Sequence, residues 1–123
     1  MQELKIAPLK NIPEIFMSPQ GIMKIKGRSI DEKMACLFDL VEVWINEYIV
    51  NPPQLTKIDL CFEYCNSLSS KAIIRVLQQL ILVKEKGKSL IINWYYEDGD
   101  DDILERGQHF ASILDVPINF IKI

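Results

Sequence analysis

Phe62-Glu63-Tyr64-Cys65-Asn66-Ser67-Leu68-Ser69-Ser70-Lys71 is the stretch from which the fold is read, because an alternating apolar strand stops there and re-emerges as a helix. Ile58, Leu60, Phe62 and Tyr64 recur with the strand period of two, so they share one face of an extended segment. Directly after the turn, Ile73, Val76, Leu77, Leu80 and Ile81 recur at helical spacing. Ser67, Ser69 and Ser70 fall at or just before the first turn of that helix. Free backbone N–H groups and the helix dipole favour an anionic group at such an end by roughly 0.3–1 kcal/mol. The same spacing also fits one serine capping the helix while the others fill the turn.

Towards the C-terminus, the helix is expected over residues 70–86 and stops at Gly87. Residues 89–95, Ser-Leu-Ile-Ile-Asn-Trp-Tyr, form an almost continuous apolar run, the pattern of a central strand. The acidic segment Glu97-Asp98-Gly99-Asp100-Asp101-Asp102 leads into a third helix, with Ile103, Leu104, Phe110, Ala111 and Leu114 facing inward, and residues 117–123 make a last strand. Towards the N-terminus, the strand over 56–65 is preceded by a helix over 31–50, on which Met34, Leu37, Phe38, Val41, Trp44, Ile45 and Tyr48 keep one apolar face. Ser29 or Asp31 can cap that helix and Pro52-Pro53 ends it. Residues 4–17 read as one edge strand interrupted by Pro8 and Pro13, joined through a loop at 18–21 to a short strand at 22–26. The order ββαβαβαβ predicts an α/β fold. Its mixed, mostly parallel sheet of about five strands carries about three helices mainly on one face, in one domain over 1–123.

The net charge of −3 and pI near 5.1 leave no broad basic surface for a phosphate backbone, so nucleic acid is not an expected partner. The N-terminus lacks a basic region followed by an apolar run, and no apolar stretch approaches a membrane span, so a cytoplasmic protein without a membrane partner is expected. Cys36, Cys61 and Cys65 make an odd count that argues against a disulfide framework. Cys61 and Cys65 would share one strand face, but neither a CxxC pair nor a nearby His completes a zinc set. The single histidine, His109, lies far off in a helical pattern, which removes most Cys–His and Ser–His schemes.

Oxygen-rich residues 97–102 invite a magnesium or calcium reading, yet counting from Asp98 they lack the Gly and Glu that an EF-hand loop requires. Acidic residues at a helix start are explained by the dipole. A small-ligand or divalent-metal domain, or an enzyme, using this acidic segment is the competing functional class. Trp94 and Tyr96 are expected to cap the core, whereas Tyr95 alternates to the other face and is the better surface candidate. No glycine-rich phosphate loop, GxSxG elbow or HExxH motif is present, so no cofactor and no catalytic residue is assigned.

The chain resembles the SiaC-type regulatory phosphoproteins, whose fold is similar to the STAS domain of anti-sigma-factor antagonists. Nearly the whole chain takes part, through Ile25-Lys26-Gly27-Arg28-Ser29, Trp44 with Glu47-Tyr48, Pro52-Pro53, the turn from Glu63 to Lys71, and Asn93-Trp94-Tyr95-Tyr96 followed by acidic residues and Gly107. The resemblance implies a non-enzymatic regulator. Its phosphorylation site is the hydroxyl after the Asn of the turn, here Ser67, with Ser69 and Ser70 as alternatives. It further implies a protein kinase, a PP2C-type phosphatase and an effector such as a diguanylate cyclase bound by the unphosphorylated form, hence cyclic di-GMP signalling. Asn66, Leu68, Ser69 and Lys71 around the turn, with Tyr95, Glu97, Asp98 and Asp100, are the expected partner-binding surface. Ser67 stands where Thr is usual, Leu68 where a small residue is usual, and Asp31 where Pro is common.

Overall fold

Pro8 and Pro13 bracket a tight turn in which Leu9 and Ile12 exchange backbone hydrogen bonds of 2.9 and 3.3 Å. The opening segment is therefore two strands rather than the single edge strand expected. In the computed structural model, which describes residues 1–123, β1 (Leu4–Ile6) takes the edge and pairs antiparallel with β2 (Glu14–Met17). That extra hairpin raises the sheet to six strands where five were expected.

The next reversal runs through Ser18 to Gly21, which sits at φ +95° with the carbonyl of Leu55 only 2.2 Å from where a Cβ would stand. Any side chain there would strike the start of β4, so the turn requires glycine. β3 (Ile22–Ser29) then pairs antiparallel with β2 and parallel with β4 (Leu55–Cys65). β5 (Ser89–Tyr96) and β6 (Asn119–Lys122) continue in parallel, giving the order β1-β2-β3-β4-β5-β6. Because each right-handed crossover steps in the same direction across the sheet, α1 (Met34–Tyr48), α2 (Ser67–Leu80) and α3 (Asp101–Leu114) fall on one face. The expected mixed, mostly parallel sheet with helices on one side is what forms.

The core lies between that face and the helices, in one apolar cluster running from Ile12 to Ile118. Trp94 is its hub: fully buried, it packs against Phe62 and Phe110 at centroid distances of 5.8 and 5.2 Å and donates from Nε1 to the Ile103 carbonyl at 3.0 Å. α3 crosses it at Gly107, where an added Cβ would stand 2.6 Å from that same Nε1. Trp44 departs from expectation. It is half-buried beside the core, stacked on Tyr48 at 5.1 Å, and donates to the Gln2 carbonyl, while Phe38 and Leu77 are fully buried as expected.

Helix boundaries also shift. α1 begins at Met34, where Asp31 Oδ1 accepts from the Lys33 amide, and Ser29 instead ends β3 with its hydroxyl buried. α2 begins at Ser67, three residues before the expected start, and passes into a 3-10 segment (Ile81–Lys86) that ends at the left-handed Gly87. No helix is long and apolar enough to cross a membrane.

Candidate functional site

The end of β4 does not keep the alternation on which its sequence was read. Gly27 of β3 pairs with Phe62 and Arg28 with Tyr64, so Glu63 is an extra residue in β4 and the register shifts. The bulge reverses the phase of the strand. Tyr64, expected inward, is 51% exposed, and Cys65, expected on the more polar face with Cys61, is buried in the core. Cys61 and Cys65 consequently lie on opposite faces.

Asn66 follows the bulge and caps α2, its Oδ1 accepting from the Ser69 amide at 2.9 Å and its carbonyl from the Ser70 amide at 2.9 Å. Asn has the cap, and the three serines of the turn are left with different roles. Ser69 is buried, and its Oγ accepts from Ser29 Oγ at 2.8 Å, tying the helix start to the end of β3. Ser70 is also buried; it donates to the Asn66 carbonyl at 2.9 Å, lies 3.3 Å from Cys65 Sγ and accepts from Arg106 Nη1. Ser67, the first helical residue, is exposed beside Leu68, which is 76% exposed.

Ser67, Ser70 and Lys71 of α2 face Arg106 and His109 of α3 across a groove of about 880 Å³. Glu63, Asp100, Asp102 and Glu105 also line it, so its formal charge is acidic despite the two fixed cations. Cys65 closes the inner end. Burial pushes its thiol above the ordinary value of 9.0, with the Ser70 hydrogen bond and the Arg106 charge acting weakly against that shift. A buried thiol held protonated is a poor nucleophile, which suits a structural residue.

The expected partner surface divides in two. Asn66, Leu68, Ser69 and Lys71 gather at the start of α2, and Asp100 joins Ser67 in the groove. Tyr95 does not join them: its register partners are Cys61 and Ile121, on the sheet face that carries no helix. Glu97 directly follows the end of β5 and, unlike Asp100, does not line the groove; burial raises the Cys61 thiol, Lys26 opposes the shift, and the charges of Glu97, Glu63 and Asp59 add to it. Asp98 turns towards β6, with Lys122 Nζ 3.8 Å from its carboxylate. The acidic run thus disperses over three surroundings, and no three His, Cys, Asp or Glu side chains converge as metal ligands.

Arg106 was not singled out from the sequence. A signal existed, because it lies three residues after Ile103 and four before Phe110 and so borders the buried stripe of α3, a position from which a long side chain reaches over a neighbour. That the neighbour would be Ser70 is a long-range fact. The partners are 36 residues apart in the chain.

Against known proteins, residues 6–123 match the family model described as SiaC family regulatory phosphoprotein. A curated, uncharacterised protein of Pseudomonas aeruginosa strain UCBPP-PA14 is 25% identical over 118 residues, covering 95% of this chain and 94% of that one. The solved structure of apo-SiaC from Pseudomonas aeruginosa superposes with a TM-score of 0.87 at 23% identity, covering 98% of this chain and 99% of the other. SiaC from the same organism in complex with the diguanylate cyclase SiaD, whose activator it is, gives a TM-score of 0.89 at 23% identity with the same coverage. At that identity the structures establish a shared fold.

Proposed function

The chain belongs to the SiaC family of regulatory phosphoproteins, and from that premise we propose that it is a switch whose unphosphorylated form binds a diguanylate cyclase through the surface around Ser67. A kinase transfers the terminal phosphoryl group of a nucleoside triphosphate to Ser67 Oγ, the hydroxyl proton leaving to a base on the kinase and the nucleoside diphosphate departing. A PP2C-type phosphatase hydrolyses the ester, returning the hydroxyl and inorganic phosphate. The family is one of regulators, and this chain is a regulator rather than an enzyme.

The observation that carries the choice of Ser67 is the contrast among the turn hydroxyls. Ser69 and Ser70 are 2% and 8% exposed and hydrogen-bonded, whereas Ser67 is exposed at the helix start. A kinase must reach the oxygen it modifies. Beside it, Leu68 and Tyr64 are exposed apolar side chains that a partner would cover, and burying one such Leu is worth about 1.5–3 kcal/mol. A phosphate adds about −1.5 to −2 charges. Set against a desolvated contact built around a neutral hydroxyl and flanked by carboxylates, it costs several kcal/mol.

The test combines site mapping with binding. Affinity capture from lysate with wild type and Ser67→Ala, read by mass spectrometry, identifies kinase, phosphatase and effector; SiaD of Pseudomonas aeruginosa is the first cyclase probe. Phosphate should map to Ser67, and cyclase binding should fall on phosphorylation while Ser67→Ala stays bound. Phosphate confined to Ser69 or Ser70, or equal binding by both forms, overturns the reading.

A further inference from the structure

We propose that Arg106 is the receptor for the phosphate of phosphorylated Ser67, exchanging its hydrogen bond to Ser70 for charge-assisted bonds to phosphate oxygens and latching the start of α2 onto α3. The inference rests on the assignment of Ser67 as the phosphate acceptor.

The first observation is an arginine without an ionic partner. Four carboxylates line the groove, yet none approaches the Arg106 guanidinium within the 4.0 Å of an ion pair, and its hydrogen-bond partner is the neutral hydroxyl of Ser70. Lys71 is likewise unpaired. A half-buried guanidinium presents five N–H donors in a planar fork that matches phosphate, so a single bond to a hydroxyl leaves most of its capacity unused.

The second observation is helical spacing. Ser67 and Ser70 stand three residues apart on α2, which sets their Cβ atoms about 5–6 Å apart on one face. Both line the groove with Arg106, and Lys71, four residues after Ser67, flanks them. A phosphate on Ser67 Oγ would therefore share the groove with the guanidinium that already reaches Ser70, one helical turn away.

The exchange leaves nothing unsatisfied. When Arg106 turns away, Ser70 Oγ still donates to the Asn66 carbonyl and still touches Cys65 Sγ. Charge-assisted bonds are roughly twice as strong as neutral ones, which drives the exchange. The carboxylates of Glu63, Asp100, Asp102 and Glu105 oppose the phosphate, and Lys71 and His109, when protonated, are the other cations facing it. Arg106 is thus the cation that makes the groove tolerate the modification.

The test installs phosphoserine at position 67 during synthesis, so that no kinase is required, and follows the phosphate by ³¹P NMR through its second ionisation, in wild type, Arg106→Gln, Arg106→Lys and Lys71→Gln. In wild type the ionisation should lie lower than in Arg106→Gln by about one unit, the effect of a cation within ion-pair reach. Arg106→Lys should recover part of the difference, and Lys71→Gln should move it less. Identical ionisation in wild type and Arg106→Gln overturns the assignment. If Arg106→Gln does not fold, wild type alone decides: the Arg106 ¹⁵Nε–H resonance should move when Ser67 carries phosphate, and an unmoved resonance overturns the latch. Cyclase binding, measured on the same samples with SiaD of Pseudomonas aeruginosa as probe, separates the two ideas. Phosphate that abolishes binding but titrates identically in both proteins removes the latch and leaves the switch; phosphate whose ionisation depends on Arg106 but leaves binding intact keeps the latch and removes the switch.

Discussion

Two turns follow parallel strands at the same edge of the sheet, and they are built alike up to the last step. The turn after β4 and the turn after β5 each open a helix of 14 residues, and each is capped by an Asx side chain: Asn66 Oδ1 accepts from the Ser69 amide at 2.9 Å, Asp100 Oδ1 from the Ile103 amide at 3.2 Å. They differ in charge. The first turn of α3 holds Asp101 and Asp102, while the first turn of α2 has no acidic residue and offers Ser67 instead. One helix dipole is compensated permanently by carboxylates; the other carries no fixed negative charge in its first turn, which suits the phosphate proposed for Ser67. The difference teaches that the turn proposed for modification is marked by what it lacks as much as by its serines.

The largest expected effect breaks the α3 side of the comparison outright. Trp94→Ala should cost about 3–5 kcal/mol, because it empties the hub beneath α3 and removes the indole hydrogen bond to the Ile103 carbonyl. Gly107→Ala should cost about 1–3 kcal/mol, because its methyl would overlap the Trp94 indole. Urea unfolding with an unchanged m-value measures both. If Gly107→Ala proved neutral, α3 would be free to shift and could not serve as a fixed wall of the groove.

Removing the caps asks whether the two turns are equivalent mechanically. Asn66→Ala and Asp100→Ala should each destabilise by about 1 kcal/mol in the same denaturation experiment. A far smaller loss for Asn66 would mean that α2 starts later in solution and that Ser67 is not its first helical residue.

Charge substitutions should then move the two helices in opposite directions. Ser67→Asp adds the missing negative charge to α2 and should stabilise by about 0.3–1 kcal/mol; Asp101→Asn and Asp102→Asn should each lose a comparable amount from α3. Thermal unfolding at low ionic strength should show both, and at 1 M salt, where the screening length is about 3 Å, both should shrink. Equal signs would mean that the groove carboxylates outweigh the dipole at Ser67.

The smallest effect concerns chemistry rather than stability. Alkylation should modify exposed Cys36 first, half-buried Cys61 more slowly, and Cys65 at the rate of unfolding, as read by mass spectrometry. Because burial raises the Cys65 thiol, the folded protein keeps that proton to higher pH than the unfolded chain. Its contribution to stability is present below the ordinary value of 9.0 and is lost as pH rises through the raised one. Fast modification of Cys65 at neutral pH would show that the first turn of α2 opens locally, which α3 over Trp94 should not do.

Much of this molecule was decided by local pattern. The alternation of Ile58, Leu60 and Phe62, the helical recurrence of Ile73, Val76, Leu77 and Leu80, and the crossover rule were enough for strand–helix order, a mostly parallel sheet and helices on one side. Periodicity and handedness are backbone properties that act over a few residues, so they can be read without knowing what packs where. Pro8 and Pro13 were visible, but a turn that yields a sixth strand depends on β2 finding β3. The bulge at Glu63 belongs to the same class: it exists because β4 is registered against Gly27 and Arg28, and it alone turns Tyr64 out and Cys65 in. Tertiary structure also left Ser67 exposed while burying Ser69 against Ser29, separated Tyr95 and Glu97 from Asp100, and brought Arg106 to Ser70. Those outcomes were settled by packing between segments tens of residues apart, where burial and hydrogen-bond satisfaction, rather than spacing along the chain, choose the partner.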